Sequence, residues 1–205
     1  MTWAHRFFGD YATRVGTFLD AHTGRPYSWT FGNDANGDQV SGNDSIYIPK
    51  GPGDVLFTSA TTAQMQQQFF QYIQADSYLR SHEGQVAGRN AVRSPWVHEL
   101  DLRIAQEIPG LFKGNKGVIQ LDIYNVLNLV NKNWGQFDQI GFPYGRALAD
   151  FAGIDPATGK YIYNLSSSAY KDANGNYAPS SFQTADTSSR PLSRWSLQLT
   201  LNYKF

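Results

Sequence analysis

The last thirteen residues, SRWSLQLTLNYKF (Ser193–Phe205), carry the clearest structural signal in the chain. From Trp195 onward, every odd-numbered residue is apolar or aromatic and every even-numbered residue is polar. This alternation predicts a β-strand whose two faces meet different environments. The strand is also long enough to cross a lipid bilayer at a tilt. Its apolar face consists of Trp195, Leu197, Leu199, Leu201, Tyr203 and Phe205.

The composition of the chain excludes several classes of protein. Its 205 residues have a formal net charge of zero, which argues against nucleic-acid binding because phosphate neutralisation needs a basic excess. Cysteine is absent, so neither a disulfide framework nor a thiolate metal site is possible. Aromatic residues make up 15% of the chain. They suit either the core of a soluble β protein or the interfacial girdles of a membrane β-barrel.

Period-two alternation recurs along the chain and predicts seven strands in an all-β fold. The connections between them are alternately short and long, so an antiparallel meander would have tight turns at one edge and long loops at the other. That asymmetry is typical of transmembrane β-barrels. The predicted strands are Tyr11–Asp20, Pro26–Gly32, Trp96–Ile108, Gly117–Val126, Ile140–Ala152, Lys160–Ser166 and Trp195–Phe205.

The second face of these strands is charged. Glu99, Asp101, Arg103 and Asp122 alternate with apolar residues and point away from them. A soluble sandwich would hold such residues in water, whereas a barrel would direct them into its lumen. The strand lengths favour the barrel, because strands of globular proteins usually have only five or six residues.

The longest connection contains one predicted helix, TTAQMQQQFFQYIQAD (Thr61–Asp76). Thr61 and Gln64 have the spacing of a capping box at its start. An apolar stripe at helical spacing predicts packing against the rim of the sheet, and contact with a ligand is the alternative. The stripe consists of Met65, Phe69, Tyr72 and Ile73.

No catalytic motif occurs in the chain, and we predict that it is neither an enzyme nor dependent on a cofactor. A nucleophile elbow, a phosphate-binding loop, a dinucleotide-binding fingerprint and a zinc-protease helix motif are all absent. The N-terminal stretch has no apolar core of the kind that a signal peptide requires. The histidines lack metal-ligand spacing and are His5, His22, His82 and His98.

One stretch, Asn33–Asp44, partly matches a calcium-binding loop. Asp34, Asn36 and Asp38 occupy the first three ligand positions of such a loop. The match then fails, because glycine stands at the fourth position rather than the sixth and Ser45 stands where a glutamate is needed. The alternative is a surface loop built from Asn-Gly turn chemistry.

Four stretches together resemble the end of a TonB-dependent outer-membrane receptor. The similarity is to the Oar-like members of that family, which often carry a carboxypeptidase-regulatory-like domain near their N-terminus. It extends from about Tyr11 to Phe205. The stretches are TGRPYSWTFGNDANGDQVSGND (Thr23–Asp44), YLRSHEGQVAGRNAVRSPWVHELDLRI (Tyr78–Ile104), LDIYNVLNLVNKNWG (Leu121–Gly135) and RWSLQLTLNYKF (Arg194–Phe205).

This resemblance implies a barrel of about 22 strands filled by an N-terminal plug. It also implies a Gram-negative outer-membrane location, a TonB box coupled to the energised inner membrane, and import of a ligand too large or too scarce for porins. Residues 1–205 would form the C-terminal segment of the barrel, without the plug, the TonB box and the N-terminal strands. The implied partners are outer-membrane lipid, the barrel assembly machinery, the TonB system and a transported ligand.

The candidate site residues follow from this interpretation. Exposed loops would present Asp34, Asn36, Asp38 and Trp134 to the ligand, and the lumen would present Arg103 and Asp122. By resemblance, the alternating terminal strand that ends in Phe205 is a signal for the assembly machinery. A secreted, soluble β-sandwich that binds carbohydrate is the alternative, and it would need its aromatic residues clustered on one exposed face.

Overall fold

The computed structural model describes residues 1–185 and 192–205, and it is mostly β-sheet with few helices. The strands are β1 (Thr2–Phe8), β2 (Tyr11–Thr23), β3 (Pro26–Phe31), β4 (Tyr47–Ile48), β5 (Leu56–Phe57), β6 (Gln85–Val86), β7 (Val92–Arg93), β8 (Trp96–Pro109), β9 (Lys116–Tyr124), β10 (Asp138–Gln139), β11 (Gly145–Ile154), β12 (Tyr161–Asn164), β13 (Gln183–Thr184) and β14 (Ser196–Lys204). The helices are α1 (Ala63–Ala75), α2 (Ser77–Ser81), α3 (Val126–Val130) and a 3₁₀ turn (Ser168–Tyr170).

The chain divides into two compact units, each made of separate segments. The first, here called the sheet unit, contains Met1–Gly24, Pro95–Asp138 and Thr184–Phe205. The second, here called the core unit, contains Arg25–Ser94 and Gln139–Gln183. The core unit is therefore assembled from parts of two different connections of the sheet unit.

The sheet unit is built on five antiparallel strands in the order β1, β2, β8, β9, β14. Short and long connections alternate among these five, although of the predicted short links only Pro109–Lys116 joins two of these strands. Short turns join β1 to β2 and β8 to β9, whereas long connections join β2 to β8 and β9 to β14. Because consecutive strands are antiparallel, both long connections leave the sheet at the same end. Each outer strand, β1 and β14, pairs with one neighbour only among the described residues, so these strands do not close into a barrel.

The single seven-stranded meander is wrong, because three of its strands lie in another sheet. Pro26–Gly32, Ile140–Ala152 and Lys160–Ser166 correspond to β3, β11 and β12 of the core unit. The sheet order there is β5, β12, β11, β3, β7, and β3 runs parallel to β11. Alternation reports which face of a strand is apolar, and it does not report which strand lies beside it. In β3 even the polar positions are buried, so its alternation does not mark a solvent-exposed face.

The sequence pattern also missed β1 and placed several strand ends incorrectly, among them the end of β9. In β1 the face shared by Trp3 and Phe7 includes His5, which interrupts the apolar alternation. The strand predicted over Gly117–Val126 ends at Tyr124, because Asn125 adopts a left-handed conformation (φ 54°) and caps α3. A left-handed residue cannot continue a β-strand, so the chain turns away there.

The predicted helix is confirmed as α1, although its cap lies one residue later than expected. Thr62, not Thr61, is the N-cap, and its side-chain oxygen accepts a hydrogen bond from the Met65 backbone N–H at 3.3 Å. Met65, Phe69 and Ile73 are buried, as the stripe indicated. The helix therefore packs its apolar face into the core unit.

The core unit has a conventional apolar interior rich in aromatic rings. Phe69 and Tyr163 are fully buried and lie edge to face, with ring centroids 6.1 Å apart. The guanidinium of Arg146 lies 4.7 Å from the ring centroid of Trp29 and 4.8 Å from that of Phe182. The Arg146 Nε also donates to the Ser180 carbonyl at 2.7 Å, so this charge is held by the unit's own groups.

Candidate functional site

The two faces of the five-stranded sheet differ sharply in chemistry. Strand register places apolar side chains directly opposite each other from one edge of the sheet to the other. Leu199 of the edge strand β14 is 63% exposed on this face, and Leu197 and Leu201 beside it are also exposed. One row crossing all five strands consists of Trp3, Val15, Ile104, Leu121 and Leu199.

The adjacent row of the same strands projects from the opposite face and is polar. It contains Arg103 and Asp122, which are direct cross-strand partners. Asp122 is in turn opposite Gln198, and Arg103 is opposite Gly16. Because neighbouring positions of a strand point to opposite faces, this row cannot share the environment of the apolar row.

Arg103 and Asp122 form the best-defined ion pair of this polar face. The Arg103 Nε lies 2.5 Å from the Asp122 Oδ1, and the Gln120 Nε2 donates to the other carboxylate oxygen at 2.6 Å. The Asp122 side chain is 6% exposed, whereas that of Arg103 is 59% exposed. The Asp122 carboxylate is thus enclosed and holds one edge of the Arg103 guanidinium. The rest of that guanidinium is open to solvent.

A groove of about 280 Å³ lies over this ion pair within the sheet unit. Gly16 keeps the groove open, because a side chain there would stand beside Arg103. Asp101 and Tyr124 add a carboxylate and a phenol to the lining. The two residues predicted to face the lumen, Arg103 and Asp122, are therefore brought together in one polar groove.

A second charged cluster lies farther along the same face, around Glu107. Its carboxylate is 2.8 Å from the Arg14 guanidinium and 3.6 Å from the Lys116 ammonium. It also accepts a hydrogen bond from the Ala12 backbone N–H at 3.2 Å. The sequence pattern placed none of these residues in a site. The signal that could have found them is that β2 and β9 each carry a basic residue two positions diagonal to Glu107, opposite Ala105 and Pro109.

The loop with partial calcium-loop spacing belongs to the core unit, whereas the Arg103 groove belongs to the sheet unit. One Asp34 oxygen accepts from the backbone N–H groups of Gly37 and Asp38, and the other accepts from Gln39. The Asn36 side-chain oxygen accepts from the Asp38 N–H at 2.8 Å. These side chains organise the loop itself, which is the expected Asx-turn chemistry.

The third acidic position of this loop, Asp38, is also engaged with neighbouring donors. The Asn43 amide donates to it at 3.0 Å and the Val40 N–H at 2.8 Å. These hydrogen bonds hold the pKa of the Asp38 carboxyl below its usual value, with a smaller contribution from the Arg89 charge. Within residues 1–185 and 192–205, no three His, Cys, Asp or Glu side chains converge as metal ligands.

The remaining predicted residues belong to the sheet unit. Trp134 follows α3 and is half exposed, at the mouth of a small cleft. On the terminal strand, Leu197, Leu199 and Leu201 are exposed in a single line, and Trp195 and Phe205 flank β14. The Tyr203 hydroxyl accepts a hydrogen bond from the Leu111 N–H at 3.0 Å, which ties the strand to the neighbouring turn. An assembly role for these residues stays a prediction.

Comparison with protein-family models, with curated proteins and with solved structures finds no match for this chain. None of the helices in the described residues is both long and apolar enough to span a membrane. The functional argument therefore depends on the geometry of the chain itself.

Proposed function

We propose that this chain forms part of the barrel wall of a TonB-dependent outer-membrane receptor that imports a specific ligand. The apolar face of the five-stranded sheet would contact lipid, and the charged face would line the lumen. The long connections, including the core unit, would lie on the extracellular side. The chain would act by binding and passage of a ligand rather than by catalysis.

The observation that carries this proposal is the exposed apolar row from Trp3 to Leu199. Burying apolar surface is worth about 25 cal/mol per Å², so a wide sheet of exposed Leu, Ile and Trp is unfavourable in water. Large contiguous apolar patches on proteins mark contacts with a partner or a membrane. Lipid chains would cover this row without requiring hydrogen bonds, because the strand backbones already pair with each other.

Strand lengths and connections agree with a membrane-spanning sheet. The strands β2 and β8 have 13 and 14 residues, and β9 and β14 have 9 each. A tilted transmembrane strand needs about 9–11 residues. Tight turns at one end and long connections at the other match the short periplasmic turns and long extracellular loops of outer-membrane barrels.

The unpaired edges of β1 and β14 also fit a wall segment. Backbone groups at a sheet edge cannot remain unpaired within hydrocarbon, so a membrane barrel must be closed. Five strands would supply one arc, and other strands of the same barrel would pair with both edges. The barrel assembly machinery would read the terminal alternating strand, and the TonB system would act on a plug.

A soluble sandwich is the competing interpretation, and it would need a second layer over the apolar face. With all described residues present, Trp3, Leu19, Leu199 and Leu201 remain exposed. A sandwich core of this kind would instead be enclosed between two sheets about 10 Å apart. The uncovered face therefore favours lipid as the second layer.

Ligand contact in this proposal falls to two groups of residues. Arg103 and Asp122 would meet the ligand in the lumen, where the open part of the guanidinium can bind an acidic or polar group. Trp134 and the loop of Asp34, Asn36 and Asp38 would meet it at the extracellular side. The loop aspartates act mainly by keeping the loop in shape, because their oxygens are occupied.

The test compares two arginine substitutions on neighbouring positions of one strand. Leu199→Arg places a charge on the apolar face, where such a residue costs about 2–4 kcal/mol near the bilayer midplane. Thr200→Arg places the same charge on the polar face. The full chain is refolded with vesicles of phosphatidylethanolamine and phosphatidylglycerol, and membrane association is measured by flotation and protease protection.

In the vesicles, the edges of β1 and β14 can pair between copies of the chain, as closure in hydrocarbon requires. We therefore expect the unsubstituted chain and Thr200→Arg to float with the vesicles and Leu199→Arg to be lost from them. A chain that stays monomeric in buffer and ignores the vesicles would overturn the proposal. Equal flotation of both variants would also overturn it, because the two faces would then have no different relation to lipid.

A further inference from the structure

A small cleft in the sheet unit combines two exposed indole rings with uncharged hydrogen-bonding groups. Its volume is about 260 Å³. Ligand sites usually measure about 300–1,000 Å³, so this cleft suits a single ring rather than an extended molecule. It is lined chiefly by Trp96, His98, Leu127, Asn133, Trp134 and Gln136.

The cleft exists because the first residues of β8 extend beyond the end of the neighbouring strand β9. The strand β8 starts at Trp96, but its pairing with β9 covers only Leu102 onward. The start of β8 pairs with β2 on one side. On its other side, the chain that follows β9 forms α3 and the loop carrying Trp134. One wall of the cleft is thus a strand and the other wall is this loop.

A buried asparagine fixes the loop wall relative to the strand. The Asn125 backbone N–H donates to the Asp101 carboxylate at 2.9 Å, and its side-chain amide donates to the Gly135 carbonyl at 2.7 Å. Gly135 has φ 62°, and a Cβ there would lie 1.9 Å from the Asn125 Oδ1. Only glycine therefore allows the loop to approach so closely.

A second asparagine fixes the backbone of Trp134. The Asn128 side-chain amide donates to the carbonyls of Lys132 and Trp134, each at 3.0 Å. Its side-chain oxygen accepts from the Trp195 N–H at 3.3 Å. The loop that carries the exposed indole is therefore held by hydrogen bonds before any ligand arrives, which reduces the entropy cost of binding.

The aromatic surfaces of the cleft are open. Trp96 is 59% exposed and Trp134 is 52% exposed. Trp96 stacks on His98 with the ring planes 13° apart, so one face of the indole is supported and the other is free. A flat, rigid, supported ring binds the C–H face of a sugar well, because both surfaces are weakly hydrated.

Two polar side chains of the cleft are open to a ligand, whereas the Gln136 amide already donates to the Lys132 carbonyl at 3.1 Å. The Asn133 side-chain amide and both ring nitrogens of His98 make no hydrogen bond within the described part of the chain. The lining includes the Asp138 carboxylate, which accepts from the Thr184 hydroxyl at 2.8 Å, and it includes no lysine or arginine. An anionic ligand is therefore disfavoured, and a neutral ring with hydroxyl groups around its rim is favoured.

We propose that this cleft binds one neutral pyranose unit of a saccharide, with Trp134 and Trp96 as stacking surfaces and Asn133 as a hydroxyl-binding group. The inference deepens the proposed function by naming a ligand class for Trp134, and it rests on that function only in treating Trp134 as part of a ligand-binding surface. Trp96 and His98 share the strand face of Ile104, but they lie at the end of β8 where the long connections leave the sheet. In the proposed orientation, the cleft would therefore open at the extracellular rim, beyond the row that contacts lipid. A nucleotide is disfavoured because the lining offers no lysine or arginine for its phosphate, and adenosine tests whether a base without phosphate stacks here instead.

The experiment is saturation-transfer NMR on the full chain in dodecylphosphocholine micelles. The probes are the methyl glycosides of glucose, galactose, mannose and N-acetylglucosamine, with adenosine as the competing ring. We expect transfer to at least one glycoside with binding in the millimolar range, and little transfer to adenosine. The matched variants are Trp134→Ala, Trp134→Phe and Trp3→Ala, the last removing an exposed indole of the same unit far from the cleft.

Trp134→Ala should weaken glycoside binding by about tenfold or more, as truncation of an aromatic anchor does. Trp134→Phe should retain part of it, and Trp3→Ala should leave it unchanged. Gly135→Ala keeps both indoles but forces the loop away from Asn125. This variant should also abolish saturation transfer to the glycosides, while the protease resistance of the sheet persists.

Three results would overturn the inference: no transfer to any glycoside, stronger transfer to adenosine, or equal effects of Trp134→Ala and Trp3→Ala. The outcome is separable from the vesicle experiment. Flotation without glycoside binding would leave the barrel-wall proposal standing and remove this one. Glycoside binding by a chain that ignores vesicles would do the reverse.

Discussion

The sheet unit and the core unit use the same kinds of apolar residue in opposite surroundings. In the core unit Trp29, Phe69 and Leu148 are fully buried. In the sheet unit Trp3, Phe7 and Leu199 are each about half exposed or more. The core unit therefore encloses its own apolar side chains, whereas the sheet unit leaves an apolar face exposed among the described residues. In the proposed function, lipid would cover that face.

The largest expected difference in stability is between two single variants, each of which replaces one tryptophan by alanine. Trp29→Ala leaves a cavity in the core unit and should lower its free energy of unfolding by about 3–5 kcal/mol. Trp3→Ala removes a half-exposed ring and should change that quantity by less than about 0.5 kcal/mol. Hydrogen exchange of the full chain in micelles, read on peptides from the core unit, measures both. Similar losses of protection would contradict the contrast between the units.

A smaller difference in stability is expected between two variants that each replace one glycine by alanine, one in each unit. A Cβ on Gly32 of the core unit would lie 2.1 Å from the Tyr170 hydroxyl and 2.7 Å from the Asp150 carboxylate, which hydrogen bond to each other. Gly32→Ala should therefore cost about 1–3 kcal/mol through overpacking. A Cβ on Gly16 of the sheet unit meets no atom closer than 3.8 Å.

Gly16→Ala is thus the control, and it should be tolerated within about 0.5 kcal/mol. The midpoint of urea unfolding, followed by hydrogen exchange in each unit, distinguishes the two variants. If both alanines were equally tolerated, the tight packing of β3 against the 3₁₀ turn would be refuted.

The smallest effect at neutral pH concerns the hydrogen bond between Tyr47 and Asp54 in the core unit. The Tyr47 hydroxyl donates to the Asp54 carboxylate at 2.8 Å. Tyr47→Phe should lower stability by about 0.5–1.5 kcal/mol. The expected readout is a small, uniform drop in protection of the core unit, with the sheet unit unchanged.

The same pair predicts how stability depends on pH. Burial, and then the Asp54 carboxylate, raises the pKa of Tyr47 to about 12. A raised pKa gives stability that is complete below the ordinary value near 10 and is lost as the pH rises through about 12. The hydrogen bond from the Lys50 N–H is the main contribution that lowers the pKa of Asp54. The stability that ionised Asp54 adds to the fold is therefore present above the ordinary carboxyl pKa and is lost as the pH falls below it.

Burial also raises the pKa of Tyr163, Tyr170 and Tyr177, so the core unit should unfold at alkaline pH. Tyrosinate absorbance and hydrogen exchange, recorded together between pH 9 and about 12, test this. Tyr47→Phe should make the alkaline loss shallower. Ionisation of these tyrosines without loss of protection would contradict the assignment.

Alternation predicted the sheet unit because each of its long strands has one apolar and one polar face. The strands β2, β8, β9 and β14 were found in this way, and register then places Arg103 opposite Asp122. That adjacency depends on the turn between β8 and β9, which the pattern located only approximately. β1 was missed because His5 shares a face with its aromatic residues and interrupts the pattern.

The pattern located β3, β11, β12 and α1 of the core unit, but the order of its strands was beyond reach for a physical reason. β3 is buried on both faces and pairs with a segment more than 100 residues away, as Ser28 does with Gly145. Local periodicity contains no information about such partners. The Trp134 cleft was missed in a similar way, because it depends on two asparagines and a glycine whose roles appear only in three dimensions.

The split construction of the core unit has a consequence for the order in which the chain folds. β3 cannot find β11 until β8 and β9 have been synthesised, since both lie between them in the chain. Pairings of this length close large loops and are slow to form. During synthesis, Phe31 and Phe69 of the first segment therefore lack their contacts with Tyr163 until the second segment is made, and a chaperone or export factor has that interval in which to hold them.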